Sequence, residues 1–146
     1  MIFDHWDVAA VPFPFMERPA VKRRPALVIS TKEFNQQNDH TVMAMITAAT
    51  MDAWPSDYLL AKPLEAGLKH SCYVRWKVFT LPNNMIVKKI GVLADEDREH
   101  LTKQARMIFI RAFLLRSITF PRGDRLPVCP PPNHKPSGQL KKTDSS

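Results

Sequence analysis

The sequence predicts a mainly β fold, a small and partly open β-barrel that ends in one helix. Short runs of apolar and β-branched residues, separated by Pro, Gly and Asn, fill roughly the first two thirds of the 146-residue chain, and such runs are typical of strands. A helical period appears only after them, where apolar residues recur at spacings of four and three. Many short strands followed by a terminal helix favour a barrel in an all-β or α+β arrangement.

The predicted strands are bounded by turn-forming residues. The first strand ends near Pro12 and Pro14, which indicate a sheet edge or a bulge because proline donates no backbone hydrogen bond. The segment 42–47 is apolar throughout, which predicts a strand buried on both faces. The predicted strands cover residues 6–13, 27–29, 42–47, 58–60, 72–80 and 86–92.

Two helices are predicted. Ser30 and Glu33 have the spacing of a capping box, which predicts a short helix through Asn35, directly after the strand at 27–29. Asp95 is a suitable N-cap residue followed by acidic residues, so we expect a C-terminal amphipathic helix to begin there. The apolar positions of this helix are Leu101, Ala105, Ile108, Ala112 and Leu115.

Length and composition predict one domain over residues 1–120 and a tail over residues 121–146. The tail is rich in Pro, Ser, Lys and Asn, and we expect it to be disordered because such a composition cannot form a core. It is also basic, with five Lys and Arg residues against two Asp residues. It is either an arm that adds nonspecific affinity for RNA or a passive extension.

Charge and cysteine content bound the partners and the compartment. The chain has 21 Lys and Arg against 14 Asp and Glu, a net charge of +7 and a pI near 9.7, which favours polyanionic partners such as RNA, DNA or an acidic protein segment. Cys72 and Cys129 lie in an apolar run and a Pro-rich tail, contexts so unlike that a disulfide is not expected. With no secretory-type leader and no stretch of the ~20 apolar residues that span a bilayer, we expect a cytoplasmic protein.

A basic cluster leads directly into the second predicted strand. It consists of Lys22, Arg23 and Arg24, followed by Pro25. Proline biases the residue before it toward an extended conformation, which restricts the Arg24 guanidinium. A planar, permanently charged guanidinium suits the oxygens of a phosphate. The alternative is a solvated charge cluster at the start of a strand.

Other candidate residues lie at or inside the following strands. Thr47 ends the strand at 42–47, and a threonine hydroxyl beside an arginine suits a scissile phosphate; the alternative is a hydroxyl that bonds the local backbone at a turn. Arg75 and Lys77 are one pleat apart in the strand at 72–80 and are therefore expected on one face. The five histidines have no paired metal-ligand spacing, so no metal site is predicted.

Five short motifs occur together in one order. They are Asp-Val at 7–8 with Val-Pro-Phe-Pro-Phe at 11–15, Arg-Pro-Ala-Leu-Val-Ile-Ser at 24–30, Ile-Thr at 46–47, Glu-Ala-Gly-Leu at 65–68 and Phe-Thr-Leu at 79–81. In this order and spacing the chain resembles the MazF/PemK-like toxins of bacterial type II toxin-antitoxin systems, over roughly residues 5–115. The resemblance implies an SH3-like barrel, a homodimer that binds single-stranded RNA along its interface, and a cognate antitoxin protein whose extended segment occupies the same groove.

The resemblance also implies an activity, a metal-independent endoribonuclease that needs no cofactor. In this reaction the ribose 2′-OH attacks the adjacent phosphate and leaves a cyclic phosphate and a 5′-OH end. The two catalytic positions of the family map onto Arg24, which is expected to stabilise charge on the phosphorane, and Thr47, which is expected to orient a phosphate oxygen. Further RNA contacts are expected at Lys22, Arg23, Ser71, Arg75 and Lys77. For Ser71 the alternative is a structural hydroxyl at a turn or strand end.

The strand at 72–80 departs from the family pattern. Some members carry there an arginine and an acidic residue with proton-transfer roles, and an alignment without gaps places Val74 and Trp76 at those positions. Arg75 takes the arginine position only if the register shifts by one residue, which turns it to the other face of the sheet. No general base is assigned from this strand.

The aromatic residues and one loop carry further expectations. Phe13, Phe15 and Trp76 either stack on bases, as aromatics beside cations do in single-strand binders, or fill the core, which a barrel this small favours. The loop 16–21 corresponds to the family's gating loop over the RNA groove and is short here. A shorter loop is expected to leave the groove more open.

Two other functions are kept as alternatives. CcdB-like toxins share the fold and poison DNA gyrase by binding, without catalysis; the Arg-Pro motif favours the nuclease, because a gyrase binder needs no phosphate-facing arginine at that point. A degenerate member that binds RNA without cutting it is the other alternative, because the proton-transfer pair is missing at Val74 and Trp76.

Overall fold

One antiparallel sheet of six strands carries the fold. The computed structural model describes residues 1–12, 22–50 and 52–109, and the strands follow the spatial order β4-β5-β3-β2-β1-β6. The strands are β1 (Asp7–Pro12), β2 (Arg23–Val28), β3 (His40–Ala48), β4 (Tyr58–Leu59), β5 (Cys72–Pro82) and β6 (Lys88–Val92), and the helices are α1 (Lys32–Asn38) and α2 (Asp95–Phe109), with a 3-10 turn at Asn83–Met85. The sheet curls into a half-barrel, which confirms the predicted mainly β class.

Some expectations concern residues outside the described ranges. These are the aromatics Phe13 and Phe15, the loop 16–21, the helical positions Ala112 and Leu115, Cys129 and the tail 121–146. The domain boundary at residue 120 therefore stays a prediction. Within the described ranges, no helix is long and apolar enough to cross a bilayer.

The second strand begins at Arg23 rather than at residue 27, so the basic cluster overlaps the strand. β1 pairs with β2 as far as Arg23, whereas the ladder between β2 and β3 includes Ala26 but not Pro25. The proline therefore lies where β2 has no β3 neighbour in the ladder. A missing backbone N–H is tolerated at such a place.

The first helix is capped one residue later than the capping-box spacing predicts. Thr31 is the N-cap, and its side chain accepts a hydrogen bond from the Phe34 amide. The Ser30 hydroxyl is engaged elsewhere: it bonds the Asn35 side chain and accepts a hydrogen bond from the Val42 amide of β3. Contacts with Asn35 and β3 thus occupy the hydroxyl of Ser30, the residue that the spacing predicts as the cap.

Two hydrophobic cores lie on opposite faces of the sheet. The first core comprises Val8, Leu27, Ala44, Ile46, Leu60, Ala66, Leu68, Cys72, Val74, Leu93 and Leu101. The second core comprises Phe3, Ala9, Val11, Ala26, Val28, Met43, Phe79, Leu81 and Ile86. β3 contributes Met43 to one core and Ala44 and Ile46 to the other, which confirms the predicted burial of this strand on both faces.

Helix α2 is fixed to the sheet through its first turn. The carboxylate of Asp97 is fully buried and accepts hydrogen bonds from the Tyr58 hydroxyl at 2.9 Å and from the amides of Ala61 and Lys62 at 2.8 and 3.2 Å. Burial, together with the hydrogen bond to Asp97, raises the pKa of Tyr58 to about 12. The Asp97 carboxylate thus accepts hydrogen bonds from the backbone that follows β4 and anchors α2 above the first core.

The loop after β4 packs tightly against β6 through two glycines. Gly67 has a φ of +76°, and a Cβ atom added there would lie 2.5 Å from the Ile90 carbonyl oxygen. A Cβ atom added to Gly91 would lie 2.5 Å from the Ala66 carbonyl oxygen. The two backbones approach closely only because neither residue has a side chain, and this approach sets the path of the chain into β5.

Candidate active site

The two predicted catalytic residues lie on neighbouring strands at the same end of the sheet. The ladder between β2 and β3 ends at the pair Ala26 and Met45, and the same register carried two residues further places Arg24 opposite Thr47. Directly opposite residues of antiparallel strands share a face, with Cβ atoms about 4.5–5.5 Å apart. Both side chains are half-buried. Arg24 and Thr47 therefore lie toward the same end of the sheet.

The alignment of side chains continues across two more strands. Thr47 pairs with Tyr73 of β5, and Tyr73 pairs with Leu59 of β4. We call Arg24, Thr47, Tyr73 and Leu59 the cross-strand row. Cys72 and Val74, the neighbours of Tyr73, point into the first core, so the alternation of strand side chains turns the row to the opposite face.

A cavity of about 250 Å³ lies at this end of the sheet. It is lined by Arg24, Pro25, Ile46, Thr47, Ala48, Leu68, Lys69, His70 and Cys72. Arg24 and Thr47 thus border the same cavity. Lys69 and His70 also line the cavity but were not predicted from the sequence. The available signal was a cation and an imidazole just before a strand, a pattern like that of the basic cluster before β2.

The three residues of the basic cluster differ in their surroundings. Lys22 and Arg23 are exposed, as expected of a solvated cluster, whereas Arg24 is half-buried and borders the cavity. Within β2, neighbouring side chains point to opposite faces, which separates Arg23 from Arg24. Only Arg24 of the three is held beside Thr47.

Arg75 is committed to a loop rather than to the cavity. Its Nε atom donates to both carboxylate oxygens of Asp57 at 3.0 and 3.2 Å, and its Nη2 atom donates to Asp57 Oδ2 at 2.6 Å and to the Asp52 carbonyl oxygen at 2.8 Å. The guanidinium also lies 4.6 Å from the centre of a Trp54 ring. We call Arg75 and Asp57 the loop clamp, because the pair ties the segment before β4 to β5.

The loop clamp changes the ionisation of its carboxylate. The Asp57 side chain is only 1% exposed, and burial by itself raises the pKa of a carboxyl group. The hydrogen bonds from Arg75 and from the Trp54 amide, with the charge of Arg75, outweigh burial and hold the pKa of Asp57 below its usual value. The geometry therefore favours a structural role for Arg75 over the expected contact with RNA.

Val74 and Arg75 lie on opposite faces of β5. Val74 is fully buried in the first core, whereas Arg75 pairs with Met45 and shares the face of the cross-strand row. Arg75, not Val74, thus lies on the face of Thr47. Which of the two residues occupies the family's arginine position stays a prediction.

The expected common face of Arg75 and Lys77 stays a prediction. The pairing of β3 with β5 shifts between Met45–Arg75 and Ala44–Val78, which leaves Trp76 and Lys77 in a bulge. Simple alternation does not hold across a bulge. Lys77 is exposed, and Ser71 is exposed just before the strand, where its carbonyl oxygen accepts a hydrogen bond from the Ala49 amide.

Trp76 belongs to the packing rather than to the site. Its indole N–H donates to Gln104 Oε1 of α2 at 2.6 Å, and its ring meets Phe109 edge-on at 5.5 Å between centroids. It packs against the first core from its margin. These contacts favour the core-packing interpretation over base stacking.

The cavity wall also contains a thiol. Cys72 is buried and its Sγ atom donates to the His70 carbonyl oxygen at 3.3 Å. Burial raises the pKa of the Cys72 thiol, so the group stays protonated at neutral pH and is a weak nucleophile. Among the described residues, no group of three or more His, Cys, Asp and Glu side chains is placed to hold a metal ion.

Several solved structures are similar to this chain in fold. The chain is similar to MazF from Deinococcus radiodurans, with 16% identity, a TM-score of 0.58 and coverage of 74% of this chain and 96% of that chain. It is similar to an endoribonuclease from a mycobacterial species in complex with its cognate antitoxin, with 14% identity, a TM-score of 0.56 and coverage of 73% and 91%. The Mycobacterium tuberculosis toxin MazF-mt6 matches at 16% identity and a TM-score of 0.56, with coverage of 70% and 95%. At such identities the likeness concerns the fold.

The sequence itself settles the family. No curated protein matches it at a significant level. A family model described as PemK-like, MazF-like toxin of type II toxin-antitoxin system matches residues 4–109, a span that contains the cross-strand row and, except for Phe3, both cores. The chain belongs to the PemK-like, MazF-like toxin family of type II toxin-antitoxin systems.

Proposed function

We propose that this toxin is a metal-independent endoribonuclease that cuts single-stranded RNA at the cross-strand row. The observation that carries the proposal is the placement of Arg24 opposite Thr47, at strand ends that border one cavity. A guanidinium and a hydroxyl side by side offer fixed donors to the oxygens of one phosphate. A solved structure of the same fold is described as an endoribonuclease, which supports the proposal.

The proposed reaction is an internal transesterification. The ribose 2′-oxygen forms a bond to the adjacent phosphorus and the bond from phosphorus to the 5′-oxygen breaks, so a cyclic phosphate and a 5′-OH end result. The 2′-OH loses its proton and the leaving 5′-oxygen gains one. Arg24 binds the non-bridging oxygens and stabilises the charge that grows on the phosphorane, while the Thr47 hydroxyl donates a hydrogen bond that orients one of these oxygens.

Cleavage in the presence of EDTA tests this assignment. A long single-stranded RNA is incubated with the purified protein and analysed on a denaturing gel. We expect discrete fragments with 5′-OH ends, and a rate about 100-fold lower for Arg24→Ala and for Thr47→Ala, because removal of one well-placed donor costs about 3 kcal/mol in the transition state. Thermal unfolding checks that each variant is folded.

Two matched variants control for charge and for loss of a hydroxyl. Arg106→Ala removes the same charge from the exposed surface of α2, and Thr80→Ala removes an exposed hydroxyl from β5; both are expected to cut at the rate of the unmodified protein. Cleavage by Arg24→Ala at the full rate would overturn the assignment. Intact RNA that is retained in a gel shift points to a binder without catalysis, and intact RNA together with inhibited supercoiling points to a gyrase poison.

The partners follow from the same proposal. Solved structures of this fold include toxins bound to their antitoxins, MazE-MazF of Deinococcus radiodurans among them. We therefore propose a cognate antitoxin and a homodimer for this chain. Four exposed residues stay proposed contacts for the RNA backbone. They are Lys22 and Arg23 at the start of β2, Ser71 just before β5 and Lys77 within β5.

A further inference from the structure

We propose that Tyr73, with Leu59 beside it, stacks against the nucleobase next to the phosphate held by Arg24 and Thr47. This inference rests on the proposed function, since it extends the same site by one subsite. It assigns an RNA-binding role to β4 and to the first half of β5, where sequence reasoning selected only Ser71, Arg75 and Lys77. The ligand class is a base of single-stranded RNA.

The geometry carries this proposal. Ladder pairs join Thr47 to Tyr73 and Tyr73 to Leu59, so the three side chains lie on adjacent strands and on one face. Neighbouring strands are about 4.8 Å apart, which places the aromatic ring one strand beyond the Thr47 hydroxyl. The row thus changes from a cation and a hydroxyl to an aromatic and an aliphatic side chain over four strands.

Exposure distinguishes this surface from core packing. Tyr73 is half-buried and Leu59 is 50% exposed, and neither belongs to either core. Tyr73 and Leu59 are thus partly exposed beside the proposed phosphate site.

A nucleotide matches this order of side chains. Its phosphate needs fixed donors and a positive charge, and its base offers a flat apolar face that stacks on aromatic rings whatever its sequence. A peptide partner has no comparable use for a guanidinium and a hydroxyl at one end of the same row. The charge of Arg24 thus favours RNA as the occupant.

The test separates contacts to bases from contacts to phosphates. The probe is a short single-stranded 2′-fluoro RNA, which lacks the attacking hydroxyl and stays intact, and a second oligomer of equal length in which every position is abasic. We expect Tyr73→Ala to weaken binding of the first probe about tenfold and to leave binding of the abasic probe unchanged. Tyr73→Phe, which keeps the ring, is expected to bind as the unmodified protein does.

Three further variants complete the design. Leu59→Ala changes an exposed side chain and is expected to weaken binding of the base-bearing probe in the same sense as Tyr73→Ala. Phe34→Ala removes an exposed aromatic ring from α1, away from the row, and is expected to change nothing. Arg24→Ala is expected to weaken binding of both probes, because it acts on phosphates.

The possible results are distinct. Equal losses on both probes, or no loss for Tyr73→Ala and Leu59→Ala, would overturn the stacking subsite and leave this surface to a protein partner. Failure of the proposed nuclease is a separate result, since it appears as intact natural RNA in EDTA whatever the 2′-fluoro probe shows. Base-dependent binding without cleavage would therefore keep the subsite and reject the catalysis.

Discussion

At the scale of single residues, Arg75 was predicted from its charge to contact RNA, but in the structure it forms an ion pair with Asp57. A cation in a strand of a basic protein favours contact with a polyanion. Here the carboxylate of Asp57 lies beside that cation, and the Arg75 side chain is 15% exposed. Nothing near Arg75 in the sequence identifies the carboxylate that pairs with it, since Asp57 lies on the far side of a turn. A long-range partner therefore decided the role.

The loop clamp carries a prediction for stability. Asp57→Asn keeps the shape of the side chain and removes its charge, and we expect it to lower the free energy of unfolding at pH 7 by about 3 kcal/mol, because a nearly buried cation loses its partner. Urea unfolding measures the difference. Asp52→Asn is the matched control, since the Asp52 side chain makes no ion pair with Arg75 and acts on it only through its more distant charge, while its backbone carbonyl is kept.

The same carboxylate predicts a pH dependence. The pKa of Asp57 is lower in the folded chain than its ordinary value of 3.8, so folding favours the ionised form. The contribution is complete above the unfolded pKa and disappears as the pH falls through the lower folded value. The stability gap between the unmodified protein and Asp57→Asn should narrow below about pH 4; a gap that is constant between pH 7 and pH 2 would contradict this.

At the scale of elements, the sequence predicted whether a segment is a strand or a helix better than it predicted helix caps and strand bulges. The uninterrupted apolar run at 42–47 is unambiguous because both of its faces are buried, and the period of α2 is equally local. The cap of α1 fell on Thr31 because Asn35 and β3 engage Ser30. The bulge in β5 has no local signal, because Trp76 is held there by Gln104, which lies 28 residues further along the chain.

The candidate site was only partly predictable. Arg24 and Thr47 were selected through short motifs, but their position opposite each other depends on the register of two strands joined through a helix. Tyr73 was missed because several aromatic residues share β5 and only the ladder tells which face each one takes. Lys69 and His70 were missed because their approach to the cavity depends on the glycine contact between the loop and β6.

The glycine contact carries a prediction at this scale. Gly67→Ala is expected to lower the free energy of unfolding by about 2 kcal/mol, because its φ is +76° and a Cβ atom would meet the backbone of Ile90. This corresponds to a fall in Tm of about 10 °C for a domain of this size. Gly91→Ala should act in the same direction, since its Cβ atom would meet the Ala66 carbonyl oxygen. Glu65→Ala, at an exposed position nearby, is the control and should leave Tm unchanged; equal Tm values for all three variants would contradict the close packing.

At the scale of the whole molecule, both cores and the candidate site lie within residues 1–109. Deletion of residues 121–146 is therefore expected to leave Tm and cleavage in EDTA unchanged. Thermal unfolding and the gel assay measure both. A lower Tm after the deletion would contradict the boundary at residue 120.

The deletion also distinguishes the two interpretations of the tail. A basic arm contributes released counterions, so its loss would flatten the dependence of RNA affinity on salt concentration. A passive extension would leave that slope unchanged. Because the tail carries five cations against two anions, the change in this slope distinguishes a basic arm from a passive extension.

The place of the cross-strand row has an evolutionary consequence. Its four side chains lie past the last ladder pair of β2 and β3, and none of them fills either core. A mutation at the row therefore leaves the side chains of both cores in place. Under the proposed function, selection for a new substrate and selection for a stable sheet would act on different residues of this chain. The sheet can then persist while the row changes, and solved structures share this fold at 14–16% identity.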